Sequence, residues 1–311
     1  MTDTNRLISY GVAFKAAVPH EQTLKAVKAR LRAGGDTPEG SLDEQLALAD
    51  AMSTFALGRF LLAHRGLDAY WTHRIVTYTP ESPTKRKAPA LEQILFERLP
   101  AVLATRERFA FFRRELQAML KPDMVLASVP CGWMGDLLLL DYSAVPGVSL
   151  IGLDLDPRAL AGARALAEKQ GFAGRLSLRQ IDAWNMRLHD KADVLTSNGL
   201  NIYEPDEARV TALYRQFFEA LKPGGQLVTS FLTPPPSLSA QSPWDMDAIS
   251  PDMLALQQML FLRVIDARWS AFRTHEETFV QLEAAGFAQV RFIDDRARMF
   301  PTVVAHKPAL G

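Results

Sequence analysis

The sequence predicts an α/β protein in which a doubly wound parallel sheet, with helices on both faces, follows a helical N-terminal part. Three observations carry this reading. From Pro122 onward, short apolar runs alternate with helical patterns, the arrangement of strands joined by crossover helices. The run Val125-Leu-Ala-Ser-Val-Pro-Cys-Gly-Trp-Met-Gly-Asp136 passes from an apolar strand through a turn holding Gly132 and Gly135 into a helix. The next strand, Leu150-Ile-Gly-Leu-Asp-Leu-Asp-Pro157, ends in acid, with Asp154 placed 22 positions after Gly132.

Residues 1–121 read as a helical cap or lid. Apolar spacing marks helices over Gln22–Ala33, Ser41–His64, Pro89–Leu99 and Val102–Leu120, separated by Gly34-Gly35, Pro38–Gly40, Pro80–Pro89 and Pro100. Ser41-Leu-Asp-Glu44 has the form of a capping box. Residues 122–311 read as the second domain, with an insertion over 233–270. Its strands are expected near 124–129, 149–154, 176–181, 192–197, 225–232, 288–293 and 301–306. Its helices are expected near 135–143, 157–170, 205–221 and 273–285, with an inserted helix near 250–267 after the proline-rich loop Thr233–Trp244. The aromatic residues of the N-terminal part, among them Tyr10, Phe14, Phe55, Phe60 and Phe96, read mostly as packing. Gly66-Leu-Asp-Ala-Tyr-Trp-Thr-His-Arg74 puts Tyr70 and Trp71 in a segment suited to a substrate lid.

Composition narrows the function. A chain of 311 residues, 48% hydrophobic and 23% charged, can bury one sizeable core and an accessory layer. The formal net charge is zero, with only local basic runs such as Lys85-Arg86-Lys87, so neither nucleic acid nor an anionic membrane is the expected partner. The absence of a long apolar window or an apolar N-terminal stretch makes a cytoplasmic protein the expectation. Cys131 is the one cysteine, and the six histidines show no ligand spacing, so no metal is predicted. The expected partner is a small molecule; oligomeric state stays open, a homodimer included.

The strand, glycine turn, helix, strand and acid together form a nucleoside-binding half. Glycines admit close backbone approach, the first N–H groups of a helix are free for polar atoms, and a carboxylate at the tip of the second strand can take both ribose hydroxyls. The turn Cys131-Gly-Trp-Met-Gly135 departs from G-x-G-x-x-G by placing bulky side chains where a pyrophosphate needs bare backbone, which argues against NAD or FAD.

From about Pro122 to the C-terminus the chain resembles the class I S-adenosylmethionine (SAM) dependent methyltransferases. The matching blocks are Val125–Asp136, Asp154, Gln180-Ile-Asp-Ala-Trp184, Ala192–Tyr203 and Leu221–Ser230, in that order. The resemblance implies a Rossmann-like seven-stranded methyltransferase sheet and SAM as cosubstrate or sole substrate. It implies that Pro130, Cys131, Gly132 and Gly135 cradle the methionine part, that Asp154 and Leu155 meet the ribose side, and that Asp182, Ala183 and Trp184 meet the adenine. Ser197 closes this set of SAM contacts. Asp156 is the better candidate for capping the helix at Pro157.

Ser197-Asn-Gly-Leu-Asn-Ile-Tyr-Glu204 puts polar side chains at an apolar strand's mouth, where a ligand explains them more readily than packing. Ser197, Asn201 and Tyr203 are therefore candidate catalytic residues, with Trp133, Tyr70 and Trp71 as aromatic faces for a sulfonium. Two reactions fit. In one, a small-molecule acceptor takes the methyl group, with His73, Glu204 or Tyr203 as base if a proton must leave. In the other, suggested by the likeness of residues 197–204 to SAM-dependent azetidine-2-carboxylate synthases of nonribosomal-peptide pathways, the amino nitrogen of SAM closes a four-membered ring on its own γ-carbon and expels methylthioadenosine. In that case Trp133 and Met134 fill the acceptor's place. A non-catalytic SAM-binding module is the third alternative.

Overall fold

Seven strands and eleven α-helices are formed by the described residues of the computed structural model, which are 19–80, 89–267 and 271–309. In chain order they are α1 (His20–Gly34), α2 (Leu42–Ser53), α3 (Ala56–His64), α4 (Ala69–Val76), α5 (Ala90–Glu97), α6 (Pro100–Met119), β1 (Val125–Ser128), α7 (Gly135–Leu138), β2 (Ser149–Asp154), α8 (Pro157–Lys169), β3 (Leu176–Gln180), β4 (Ala192–Ser197), α9 (Glu207–Ala220), β5 (Leu221–Ser230), α10 (Pro251–Gln258), α11 (His275–Ala284), β6 (Ala288–Ile293) and β7 (Thr302–His306). Tyr10, Phe14 and the basic run Lys85–Lys87 lie outside the described residues. The chain divides into two units: Met1–Arg106 with Asp245–Trp269, and Glu107–Trp244 with Ser270–Gly311. The division expected after residue 121 therefore falls inside α6, because Phe112 and Leu116 are buried in the core of the sheet unit. The insertion expected over 233–270 is split after Trp244, whose indole N–H donates to Thr233 Oγ1 at 3.0 Å.

In the helical unit, the single helix expected over Ser41–His64 is two, bent by 118°. The capping box starts α2, and Thr54 Oγ1 donates to the Ala51 carbonyl at 2.7 Å as it ends. Phe55 then turns to extended backbone, and Gly58 lets α3 press on the end of α2: a Cβ there would lie 2.0 Å from the Met52 carbonyl oxygen. A helix stands where the sequence suggested a lid segment, since Asp68 accepts the Trp71 N–H at 2.9 Å and caps α4. After α10 the inserted helix continues as a π-helix over Met259–Val264, burying Leu260 and Val264 with Leu31, Met52 and Leu99. Arg30 donates to the Arg263 and Val264 carbonyls at 2.7 and 2.8 Å, satisfying acceptors that a helix end leaves unpaired. No single helix among the described residues is long and apolar enough to cross a membrane.

The sheet has the order β3-β2-β1-β4-β5-β7-β6, and helices flank it, as the sequence predicted. One departure from the expected parallel sheet is β7, which pairs antiparallel with both β5 and β6. Its physical cause is the link over 294–301, too short for the dozen or more residues a parallel crossover needs. The core beneath the sheet includes Leu126, Leu137, Leu150, Val194 and Val228, all at most 1% exposed. Connections leave β1 in one direction and return to β4 on its other side, which makes the β1–β4 boundary the topological switch point.

A buried carboxylate fixes that boundary. Ser128 pairs with Thr196 across it, and Asp136, in the first turn of α7, accepts the Thr196 hydroxyl at 2.6 Å and a bond from Ser128. Burial pushes the Asp136 carboxyl up, and these hydroxyls oppose the shift. Thr196→Val removes one donor and leaves the acid buried, so it should cost roughly 1–3 kcal/mol of stability. Denaturant unfolding at neutral pH checks this, and an unchanged midpoint would show the bond to be dispensable.

Candidate functional site

The turn after β1 is shaped by backbone bonds. Cys131 N–H donates to Leu153 O at 2.8 Å, Met134 N–H donates to Cys131 O at 2.7 Å, and Gly132 takes a φ of 51°, where glycine avoids the steric penalty of a side chain. The Gly132 N–H is thereby aimed at the tip of β2, where it donates to Asp154 Oδ2 at 2.9 Å. Asp154 Oδ1 accepts the Asp156 N–H, also at 2.9 Å. Asp156 itself caps α8 by accepting the Arg158 N–H, so the two acids have separate tasks, in line with the sequence reading. Asp154 is 1% exposed. Burial, with a smaller contribution from the Asp156 charge, pushes its carboxyl up to about 6 against the N–H groups of Asp156, Gly132 and Leu155. Hydroxyl donors arriving here would stabilise the ionised form.

Around this carboxylate the structure gathers Pro130, Cys131, Gly132, Gly135 and Leu155, with Leu155 exposing its apolar side chain beside the acid. The Cys131 thiol is buried and its pKa raised by that burial and by Asp154 and Asp136, which fits packing rather than reactivity. The helix expected over 135–143 shortens to α7, since Leu139 and Leu140 close it with bonds back to Gly135 and Leu137.

The bulky residues of the turn are placed differently from expectation. Met134 is 1% exposed, and its sulfur lies 2.6 Å from where a Cβ on Gly152 would stand, so it fills the core under β2. Trp133 lies on α8, where a Cβ on Gly162 would meet the indole at 2.1 Å. Glycine at 162 makes the slot, and the indole plugs the seam between turn and helix. Asp182 accepts the Trp184 N–H at 3.0 Å and caps a short turn over Ala183–Asn185 in which Ala183 is buried. The Trp184 indole N–H donates to Arg209 O at 2.8 Å, and the Arg209 guanidinium covers one ring face at 5.0 Å. That face is therefore not available to an adenine. Tyr70 and Trp71 belong to α4 of the helical unit, their rings edge to face at 5.0 Å, with Trp71 packed on that unit's core. Burial and Arg74 lower the pKa of His73, on the same helix.

Polar residues crowd the turn from β4 to α9. Ser197 is 2% exposed and makes no hydrogen bond through its hydroxyl to any described residue. Asn201 donates its amide to Tyr214 Oη at 2.8 Å, while its own side-chain oxygen is buried without a partner. Arg273, missed in the sequence, clasps this turn from below: it donates to Asn201 O at 2.9 Å and Glu204 O at 2.6 Å and pairs with Glu207. Glu204 accepts the Asp206 N–H and pairs with Arg209 at 2.7 Å, which commits it to structure and removes it as a free base. Burial raises the pKa of Tyr203, and nearby Arg108 opposes that rise.

Arg108 is the second residue that sequence reasoning missed, since one arginine in a helical pattern gives no signal. It extends from α6 to the carboxyl edge of β5, 6% exposed, with its guanidinium 4.9 Å from the Phe300 ring. Its hydrogen bond is a long one, to Ser230 Oγ at 3.4 Å, and its Nε is buried without a partner. Asp295 lies near but spends its carboxylate on the N–H groups of Ala297, Met299 and Phe300.

Residues 128–225, from the end of β1 into β5, match the family model of the methyltransferase domain. Over these residues the chain matches a methyltransferase domain, and its seven-stranded sheet has the class I methyltransferase fold. A crystal structure from Bordetella parapertussis, described as a possible exported protein, is 54% identical, with a TM-score of 0.89 over 94% of this chain and 100% of that one. Magnesium protoporphyrin IX methyltransferase from Synechocystis PCC 6803, solved with bound SAH, shares the fold of this chain at 12% identity and a TM-score of 0.50, covering 76% of this chain and 93% of that one. An uncharacterized Haemophilus influenzae protein is 31% identical over 84 residues, which span 27% of this chain and 33% of that relative's length.

Asp154→Ala should weaken SAM binding by about 3 kcal/mol, roughly a hundredfold, because two hydroxyl bonds to a carboxylate are lost. Calorimetry that returns the wild-type affinity would remove Asp154 from the site. Since the ionised acid is the acceptor and its folded pKa is about 6, affinity should be full above that pH. As pH falls through it, affinity should drop by up to tenfold per unit, and the variant should lose this dependence.

Proposed function

We propose that this methyltransferase-fold enzyme transfers a methyl group from SAM to a small-molecule nucleophile at the carboxyl edge of its sheet. The observation that carries the reading is Asp154: a desolvated carboxylate held by the Gly132 and Asp156 N–H groups, facing the glycine turn. It would hold the ribose hydroxyls, while the backbone of 130–135 would receive the methionine part. SAM supplies an alkyl group on a sulfonium, already a good leaving group, so the task left to the protein is alignment and exclusion of water. Ser197, at the end of β4 and paired in register with Thr229, stands beside the switch point, where it can orient the nucleophile.

A second reading, ring closure of SAM to azetidine-2-carboxylate, is favoured by the scarcity of uncommitted bases. Asp136 is bonded to Thr196, Glu204 to Arg209, and Asp295 to three backbone N–H groups. Displacement by an amine that is already neutral needs no base, and the unpartnered Asn201 oxygen is an acceptor suited to orienting one. Against it, Trp133 and Met134 are engaged in packing, so they give no reason to think the acceptor's place is filled.

One incubation separates the readings. Purified protein with SAM alone should leave it intact and form S-adenosylhomocysteine only when an extract of small molecules is added. Methylthioadenosine with a cyclic amino acid, formed without any acceptor, would establish ring closure instead. SAM binding with neither product under either condition would mark a non-catalytic module.

A further inference from the structure

Among the described residues no carboxylate forms an ion pair with the buried guanidinium of Arg108. Burying a guanidinium is strongly unfavourable unless it is paired and its N–H groups are bonded. Here the Nε has no partner, Ser230 Oγ lies at the outer limit of a bond, and no described carboxylate forms an ion pair with it. Asp295 helps keep the group charged but has its oxygens occupied by backbone. The other groups at the spot suit a bound polar ligand: the Tyr203 hydroxyl faces Arg108, and Ser230 Oγ donates to Asn198 Oδ1 at 3.4 Å.

Position gives this unpaired cation a meaning. Ser230 ends β5 and Asn198 follows β4, on the side of the switch point away from Asp154 on β2. Since β5 is two strands from β1, Ser230, which the Arg108 guanidinium reaches, stands about 10 Å from the tip of β1, reckoned at about 4.8 Å per strand. A molecule with its nucleophile at the β1–β4 tips could reach that far with a second polar group. The facing Asp295 disfavours a dianion such as phosphate, and the planar fork matches a carboxylate.

We propose that Arg108 receives a carboxylate of the molecule whose nucleophile is alkylated, an inference that rests on the alkyl-transfer reading above. The carboxylate belongs either to a separate acceptor or to SAM itself, and two arms of one experiment tell these apart. In the first, SAM and decarboxylated SAM are titrated into wild type, Arg108→Gln and Arg108→Lys. In the second, the same proteins are saturated with S-adenosylhomocysteine and titrated with 2-amino and 2-hydroxy acids, each against its primary amide.

If the acceptor carries the carboxylate, the Gln variant keeps its SAM affinity within twofold and loses at least tenfold of the preference for acids over amides. If SAM carries it, the variant binds SAM at least tenfold more weakly and decarboxylated SAM unchanged. The Lys variant, which keeps charge without the fork, should fall between. A wild-type protein that prefers neither acids to amides nor SAM to its decarboxylated form would overturn the proposal, as would preferences that survive in the Gln variant. The wild-type comparison stands even if that variant fails to fold. A preference for acids that gives no turnover when SAM replaces S-adenosylhomocysteine would sink the alkyl-transfer reading and leave the carboxylate site intact.

Discussion

A buried carboxylate at the end of β2 ties the ligand edge together. Asp154 takes the Gly132 N–H from one strand-end loop and the Asp156 N–H from another, so one side chain fixes the spacing of the two loops that a nucleoside would bridge. The bonds are possible because Gly132 turns its N–H toward the acid with a positive φ. Burial makes them strong, and it also raises the carboxyl pKa to about 6. The protein thus keeps at this spot an acid that hydroxyl donors would stabilise.

The rest of the edge follows a similar rule. Asp136 is held by Ser128 and Thr196 at the switch point, Asp295 by three backbone N–H groups, and Arg273 by two carbonyls and Glu207. Each of these groups is desolvated and answered by the fold, which costs about as much as it returns and mainly fixes geometry. At this edge the Arg108 Nε, the Asn201 oxygen and the Thr302 hydroxyl are desolvated and without hydrogen-bond partners. Buried polar groups without partners are rare in folded proteins, and a site waiting for a ligand is one of the few physical reasons to keep them.

Strand and helix order, the glycine turn and the acid at position 154 were legible because they depend on local pattern and on spacings within one crossover unit. The role of Asp156 as the helix cap was legible for the same reason, being a bond over two residues. The break in the helix over Ser41–His64 was not, because it depends on Gly58 meeting the Met52 carbonyl in space. Trp133 shows the limit most clearly. Its position in the ligand loop suggested a cation-binding face, but the side chain goes where Gly162, on another helix, leaves room.

By itself the sequence determined the layered α/β architecture, the glycine turn after β1 and the carboxylate of Asp154 at the end of β2, since period, turn chemistry and short spacing are properties of neighbouring residues. Tertiary structure alone decided which polar groups are already satisfied. Glu204 is spent on Arg209, Trp184 on α9, and Met134 on the core, whereas Arg108, carried in by α6, is left without a counter-ion at the edge of β5. The reason is physical: a side chain's type fixes what it can bond, but burial and partners come from elements far apart in the chain, and those decide what remains free for a ligand.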